Sequence, residues 1–294
     1  MELLKKYDLE ISDNIVKQEI ARITTESKML KTKDSLKQIF NLIDLTSLNV
    51  TDTQTSIHDM TMKVNFFQKS FPNMPNVAAI CVYPLLIPVV KQYLTAKDVG
   101  IASVAAGFPA SQTFTDIKTL ECSRVVIEGA TEVDTVIPVG DFLEKNYQKV
   151  FNEIKAEKDS INGAHLKVIL ETGCLRSLKE IRIASLIAME AGADFIKTST
   201  GKTPISATPE AVYVMCQAIK DYSSISNRKV GIKPSGGIST SDEAIVYFAM
   251  VKTILGESWL NNTWFRIGAS RLANNILTEL AQFDIINSQP IEYF

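Results

Sequence analysis

LKVILET (166–172) and FIKTST (195–200) are short, apolar, partly β-branched runs, and each holds one lysine, Lys167 and Lys197. Runs of this length and composition read as strands buried on both faces of a parallel sheet. The same kind of run recurs in both directions along the chain: NLIDL (41–45), VAAICVY (77–83), GIASVAA (100–106), EVDTVI (132–137), VGIKPSG (230–236) and FRIGAS (265–270). Between the runs lie segments with helical periodicity. Ile57, Met60, Val64 and Phe67 share one face of a 3.6-residue repeat, as do Leu143, Tyr147, Val150 and Ile154. Thr208-Pro209-Glu210 supplies a cap, a first-turn proline and an early acid for a third helix. Eight strands, each followed by a helix and spaced roughly 22 to 35 residues apart, match the (β/α)₈ TIM barrel plan. A doubly wound open sheet shares the alternation and is the alternative.

The economical division is an N-terminal helical extension over 1–38, a barrel over 39–282 and a C-terminal tail over 283–294. Val16, Ile20 and Ile23 give the extension an amphipathic helix, to lie across the barrel bottom or along a partner. The chain has 294 residues, 46% hydrophobic, with a net charge of −2, so no nucleic-acid or polyanion partner is expected. The four cysteines are far apart and read as the reduced thiols of a cytoplasmic protein. Two histidines, His58 and His165, make no His-rich metal site, and neither is expected to act. The start of the chain lacks the apolar core of a signal peptide, and no run is long enough to span a membrane.

Asp44, Asp134, Lys167, Lys197 and Lys233 stand where barrel strands should be greasy. A buried charge must be paired, neutralised or functional. A structural ion-pair network is the plain reading of any one of them; five in five strands point to a site. Lysines gathered together suit imine chemistry. An amine attacks a carbonyl only when unprotonated, and a second ammonium about 6 Å away, at an effective dielectric of about 20, costs the charged form roughly 2.8 kcal/mol. That lowers the pKa by about two units, and desolvation lowers it further. The resulting iminium is an electron sink that needs no metal. A carboxylate such as Asp134 supplies proton transfer at the adjacent carbon.

Small-residue loops follow the last three strands: Gly201-Lys202, Ser235-Gly236-Gly237 and Gly268-Ala269-Ser270. Glycines admit a phosphate close to the backbone, and successive amides form an anion nest. A phosphorylated carbonyl compound is the expected substrate.

ADFIKTSTGK (193–202), GIKPSGG (231–237), KVILETG (167–173) and VAAICVYP (77–84) resemble motifs of the 2-deoxyribose-5-phosphate aldolase family. LIDLTSLN (42–49), ASVAAGFPA (102–110), GATEVD (129–134) and FRIGAS (265–270) follow suit, and the likeness runs from about residue 39 to 272. The resemblance implies that Lys197 forms the imine, Lys233 keeps it deprotonated, and Asp134 relays protons. It further implies that Cys81 lies near the aldehyde and that Asp44, Lys167 and Glu171 order the lumen network. Gly201, Lys202, Gly236, Gly237, Gly268 and Ser270 would bind the phosphate. The implied reaction is the reversible cleavage of 2-deoxy-D-ribose 5-phosphate to D-glyceraldehyde 3-phosphate and acetaldehyde, in deoxyribose phosphate catabolism, without a cofactor.

The chain departs from the family pattern at Arg271, Ser235, Thr135 and Cys174. It ends Tyr293-Phe294 where the family often ends in a catalytic tyrosine, which makes Tyr293 a candidate tail residue. Trp259 and Trp264 read as packing. The expected partners are a sugar phosphate, aldehydes and further copies of the chain, with neither nucleic acid nor membrane. Another imine-forming sugar-phosphate aldolase, or a non-catalytic sugar-phosphate-binding barrel, are the alternative functions.

Overall fold

The computed structural model describes residues 1–284 and 289–294; residues 285–288 of the expected tail lie outside them. Each strand falls on one of the eight apolar runs: β1 (Ile43–Thr46), β2 (Ala79–Val82), β3 (Gly100–Val104), β4 (Glu132–Val136), β5 (His165–Ile169), β6 (Phe195–Lys197), β7 (Gly231–Lys233) and β8 (Ile267–Ala269). All pair in parallel, in the order β7-β6-β5-β4-β3-β2-β1-β8. Parallel bridges from Ile232 to Phe265 and from Ser235 to Gly268 join the two ends. The sheet is therefore a nearly closed (β/α)₈ barrel rather than an open doubly wound sheet.

Side chains alternate across each strand, so every second residue faces the lumen. The outward set, including Ile43, Ile80, Ile101, Val133, Val168, Ile196 and Ile232, is fully or almost fully buried in the core shared with the helices. The inward set divides by chemistry. Ala79 and Cys81 of β2 join Ala102 and Val104 of β3 and Leu48 in a small apolar cluster of their own. Strands β1, β4, β5, β6 and β7 send charges inward, and Arg266 does so from the position just before β8. Phe195 closes the lumen from below, its ring under Lys167 Nζ at 5.9 Å and the Arg266 guanidinium carbon at 5.8 Å. A Cβ at Gly231 would run into that ring, which is why β7 begins with glycine.

The surrounding helices are α1 (Asp13–Ser27), α2 (Lys33–Asn41), α3 (Gln54–Ser70), α4 (Ile87–Tyr93), α5 (Thr115–Glu128), α6 (Val139–Leu143), α7 (Tyr147–Ser160), α8 (Leu178–Glu190), α9 (Pro209–Ser226), α10 (Ser241–Leu255) and α11 (Arg271–Asp284). Thr208 caps α9 by accepting from Ala211 N, as its sequence predicts. The periodic run from Leu143 to Ile154 is not one helix. Lys145, at a positive φ of 64°, ends α6 and lets α7 start afresh at Tyr147. The N-terminal helix α1 buries Val16 and Ile23 and packs on α9 and α10, in the outer layer rather than across the barrel bottom. Among the described residues no helix is long and apolar enough to cross a membrane.

Candidate active site

Lys197 and Lys233 are register partners on β6 and β7, so two lysines face the lumen side by side. Like charges directly opposite repel. Asp134 on β4 relieves the repulsion: its Oδ2 accepts from Lys197 Nζ and from Lys233 Nζ, each at 2.8 Å. Lys233 Nζ also lies 2.6 Å from Asp44 Oδ2. Beside them, Lys167 Nζ is 3.4 Å from Asp44 Oδ2 and 3.5 Å from Asp134 Oδ1, and it bonds Glu132. Arg266 completes the network with 2.6 Å to Asp44 Oδ1 and 2.8 Å to Glu132 Oε1. All seven side chains are buried.

Burial opposes ionisation in such a place, and partners restore it. Asp134 and Asp44 lose hydration, yet the surrounding lysines hold both well below the ordinary carboxylate range. Lys233 is also desolvated, but Asp134 and Asp44 push its pKa up. Lys197 goes the other way. Burial lowers its pKa first, Lys233 adds to the fall, and Asp134 opposes it without prevailing. Desolvation therefore leads and the neighbouring ammonium follows, the reverse of the weight the lysine spacing alone suggests.

Cys81 reaches this cluster from β2, fully buried, and burial pushes its thiol pKa up. Above the lysines three loops converge. Thr198 Oγ1 accepts from Ser235 N at 2.9 Å, tying the loop after β6 to the loop after β7. Gly236 N meets Gly268 O at 3.4 Å, tying that loop to β8. Gly201, Gly236 and Gly237 all have positive φ, between 74° and 83°. A Cβ on Gly236 would sit 3.2 Å from the Cα of Gly201 and 2.6 Å from Ser206 Oγ. The glycines thus let two backbones touch, and Ser270 stands exposed just before α11. Lys202 is exposed, and its Nζ bonds the carbonyl of Leu48.

Two expected residues are placed elsewhere. Glu171 does not join the lysine network. Its backbone turns left-handed at φ 51°, and its carboxylate accepts from Thr200 N at 3.2 Å and Thr200 Oγ1 at 2.5 Å. It braces the loop after β6. Tyr293 is held in the outer layer, where its hydroxyl donates to Lys63 O at 2.8 Å and its ring packs on Phe67 and Phe71. The physical cause is Asn274 of α11, whose Oδ1 accepts from both Tyr293 N and Phe294 N. Among the residues expected to be passive, His58 is half-buried beside Asp59 and Tyr93, and His165 lies at the lower barrel mouth. A cavity of about 410 Å³ at that mouth, lined by His165, Asp194, Phe195, Arg228, Lys229 and Trp264 among others, shares no side chain with the lysine cluster.

Glu132 and Arg266 are the members of the network that the buried-charge argument passes over. The signal is present in strand alternation: Glu132 is two residues from Asp134, hence on the same face.

The sequence profile of the DeoC/LacD family aldolases matches residues 39–266. A Caenorhabditis elegans protein is 41% identical over 282 residues, covering 93% of this chain and 92% of its own length. Human deoxyribose-phosphate aldolase is 38% identical over 251 residues, covering 82% of this chain and 79% of its own. In fold alone, the deoxyribose phosphate aldolase of Aeropyrum pernix superposes with a TM-score of 0.68 at 22% identity, over 90% of this chain and 99% of that one. A profile match over most of the barrel, together with relatives this similar along most of their length, establishes that the chain belongs to the DeoC/LacD aldolase family.

Proposed function

We propose that the chain is a class I aldolase that reversibly cleaves 2-deoxy-D-ribose 5-phosphate to D-glyceraldehyde 3-phosphate and acetaldehyde through an imine on Lys197. The observation that carries the reading is the buried Lys197 amine. Its pKa is lowered from the ordinary lysine value even though Asp134 lies 2.8 Å away. The name of the human relative supports the choice of substrate.

The Lys197 nitrogen attacks C1 of the open-chain sugar, and loss of water leaves an iminium. Removal of the proton from the C3 hydroxyl lets the C2–C3 bond break. Its electrons flow to the iminium, leaving an enamine on Lys197 and releasing glyceraldehyde 3-phosphate. Protonation of the enamine at C2 gives the acetaldehyde iminium, which water hydrolyses. Because the iminium is the electron sink, the reading calls for no metal or other cofactor.

Asp134, with Lys233 and a water, is the proton relay. Oδ2 of Asp134 is shared by the two lysines, whereas Oδ1 accepts no hydrogen bond from the described residues, which leaves an acceptor for a transferred proton. Leu48, Cys81, Ala102 and Val104 form a small apolar wall suited to a two-carbon fragment. Gly201, Lys202, Gly236, Gly237, Gly268 and Ser270, at the upper rim, take the phosphate. Asp44 and Lys167 hold the lysine pair from behind.

The reading assigns the enzyme to deoxyribose phosphate catabolism in the cytoplasm. The Aeropyrum pernix relative is described as tetrameric, and self-association of this chain is part of the proposal, to be checked by light scattering. The central test is incubation with acetaldehyde and borohydride followed by peptide mass mapping, alongside a glyceraldehyde 3-phosphate release assay. An adduct on the Lys197 peptide, absent in Lys197→Ala, and turnover of deoxyribose 5-phosphate but not of fructose phosphates are expected. An adduct on another lysine, or cleavage of fructose phosphates instead, refutes the assignment.

A further inference from the structure

The lumen can be read as a sum of charges. Among the described residues, Asp44, Glu132 and Asp134 supply three carboxylates, while Lys167, Lys197, Lys233 and Arg266 offer four cationic groups. Uncompensated charge in a buried, water-poor region is costly. The network is neutral when one of the four cations is a free base.

Geometry selects which one. Arg266 bonds two carboxylates, Asp44 and Glu132, and a guanidinium does not give up its proton. Lys167 lies within ion-pair reach of all three acids. Lys233 touches Asp44 and Asp134. Among the described residues, Lys197 pairs with Asp134 alone, at an oxygen it shares with Lys233. The thiol of Cys81, facing the same space from β2, is held neutral by burial.

We infer that Arg266, although it shares no carboxylate partner with Lys197, is a positioning residue that supplies the third fixed positive charge of the lumen and so leaves Lys197 as the amine without a proton. The inference rests on the imine reading and deepens it. The free base follows from the charge sum of the whole lumen, of which Lys233 is one part. In keeping with this, the carboxylate partners push the pKa values of Lys167, Lys233 and Arg266 up despite burial, and of the four cations Lys197 alone is shifted down.

The test is the pH dependence of borohydride-trapped acetaldehyde adduct on the Lys197 peptide. Removing a positive charge by Arg266→Met should move the midpoint of adduct formation up by on the order of one pH unit, the size of one charge acting across a lumen at an effective dielectric of about 20. Removing a negative one by Glu132→Gln should move it down by a similar amount. Arg266→Lys should keep the midpoint, and the double variant Arg266→Met/Glu132→Gln should return it to that of the unsubstituted protein. Arg266 acting only as a brace would lower the adduct yield equally at every pH. An unmoved midpoint, or movement in the same direction in both single variants, overturns the inference. If Arg266→Met does not fold, Glu132→Gln and Arg266→Lys still decide it. Absence of any Lys197 adduct in the unsubstituted protein is a different result: it brings down the imine reading and this inference with it.

Discussion

Lys197 and Lys233 place their nitrogens on one oxygen, Oδ2 of Asp134, at 2.8 Å each. The shared acceptor makes the two lysines unequal. Lys233 has a second carboxylate in Asp44 and keeps its proton, whereas Lys197 has no second one among the described residues and is the easier to neutralise. Two residues of one type, side by side on adjacent strands, thereby shift in opposite directions.

Asp134→Asn separates capture of the aldehyde from turnover. Asp134 raises the Lys197 pKa, so its removal lowers the pKa further, and the midpoint of imine trapping shifts to lower pH. Loss of the proton relay should cut kcat by about 10²- to 10⁴-fold. Measuring trapped adduct and steady-state cleavage on the same preparations checks both. A parallel loss of the two activities with an unmoved midpoint would contradict the relay.

Gly236→Ala should weaken the phosphate site. The new Cβ meets Ser206 Oγ at 2.6 Å and Gly201 Cα at 3.2 Å, at a φ of 83°. Strain of this kind costs about 1–3 kcal/mol, and the loop should relieve it by moving. KM for deoxyribose 5-phosphate is expected to rise about tenfold or more, a loss of roughly 1.4 kcal/mol, with cleavage of unphosphorylated deoxyribose little changed. Equal effects on both substrates would place the phosphate elsewhere.

Deleting Tyr293 and Phe294 should act on stability and spare chemistry. Phe294 stacks on Phe67 at 5.6 Å and lies 6.3 Å from Phe40, and both backbone amides bond Asn274. Loss of these contacts should cost about 1–3 kcal/mol, read as a lower denaturant midpoint. A large fall in kcat with unchanged stability would instead show the tyrosine at work in the lumen.

Glu157 makes the protein less stable as pH rises. It is buried against β4, and burial first, with Glu153 in support and the Thr135 hydroxyl opposing, pushes its pKa up to about 8. An unfolded glutamate titrates near 4.3. The folded state therefore binds the extra proton between these values, and stability present below the lower one is lost as pH climbs toward 8. Glu157→Gln should flatten that decline, giving a protein more stable than the parent at pH 8 and little different at pH 4. Denaturant melts across this range decide it, and parallel curves would rule the effect out.

The barrel was legible because its strands alternate with helices at barrel spacing and because lysine and aspartate are conspicuous in greasy runs. Lys167, Lys197, Lys233, Asp44 and Asp134 all stand out for that reason, and they do meet in the lumen. Glu132 and Arg266 were obscured because each stands at the edge of its run, where a charge looks like a turn residue. Only the period-two rule, counted from Asp134 back and from Gly268 back, puts them inside. Glu171 and Tyr293 were misplaced for a different reason. Glu171 lies just past β5, where a left-handed turn redirects its side chain, and no spacing rule encodes that turn. The position of Tyr293 depends on Asn274, nineteen residues away, offering its side-chain oxygen to two amides. Long-range contacts of this kind leave no local trace.

The Phe195 ring beneath Lys167 and Arg266 turns the barrel into a well with one opening. Under the proposed reaction the two-carbon piece rests at depth and the phosphorylated piece at the rim. Departure is then last in, first out: glyceraldehyde 3-phosphate vacates the shaft before water can descend to the iminium. In the synthetic direction acetaldehyde has to load before its partner. A plugged floor thus adds a spatial reason to the order that a covalent enamine on Lys197 would itself impose: the deep piece has no way out past the shallow one.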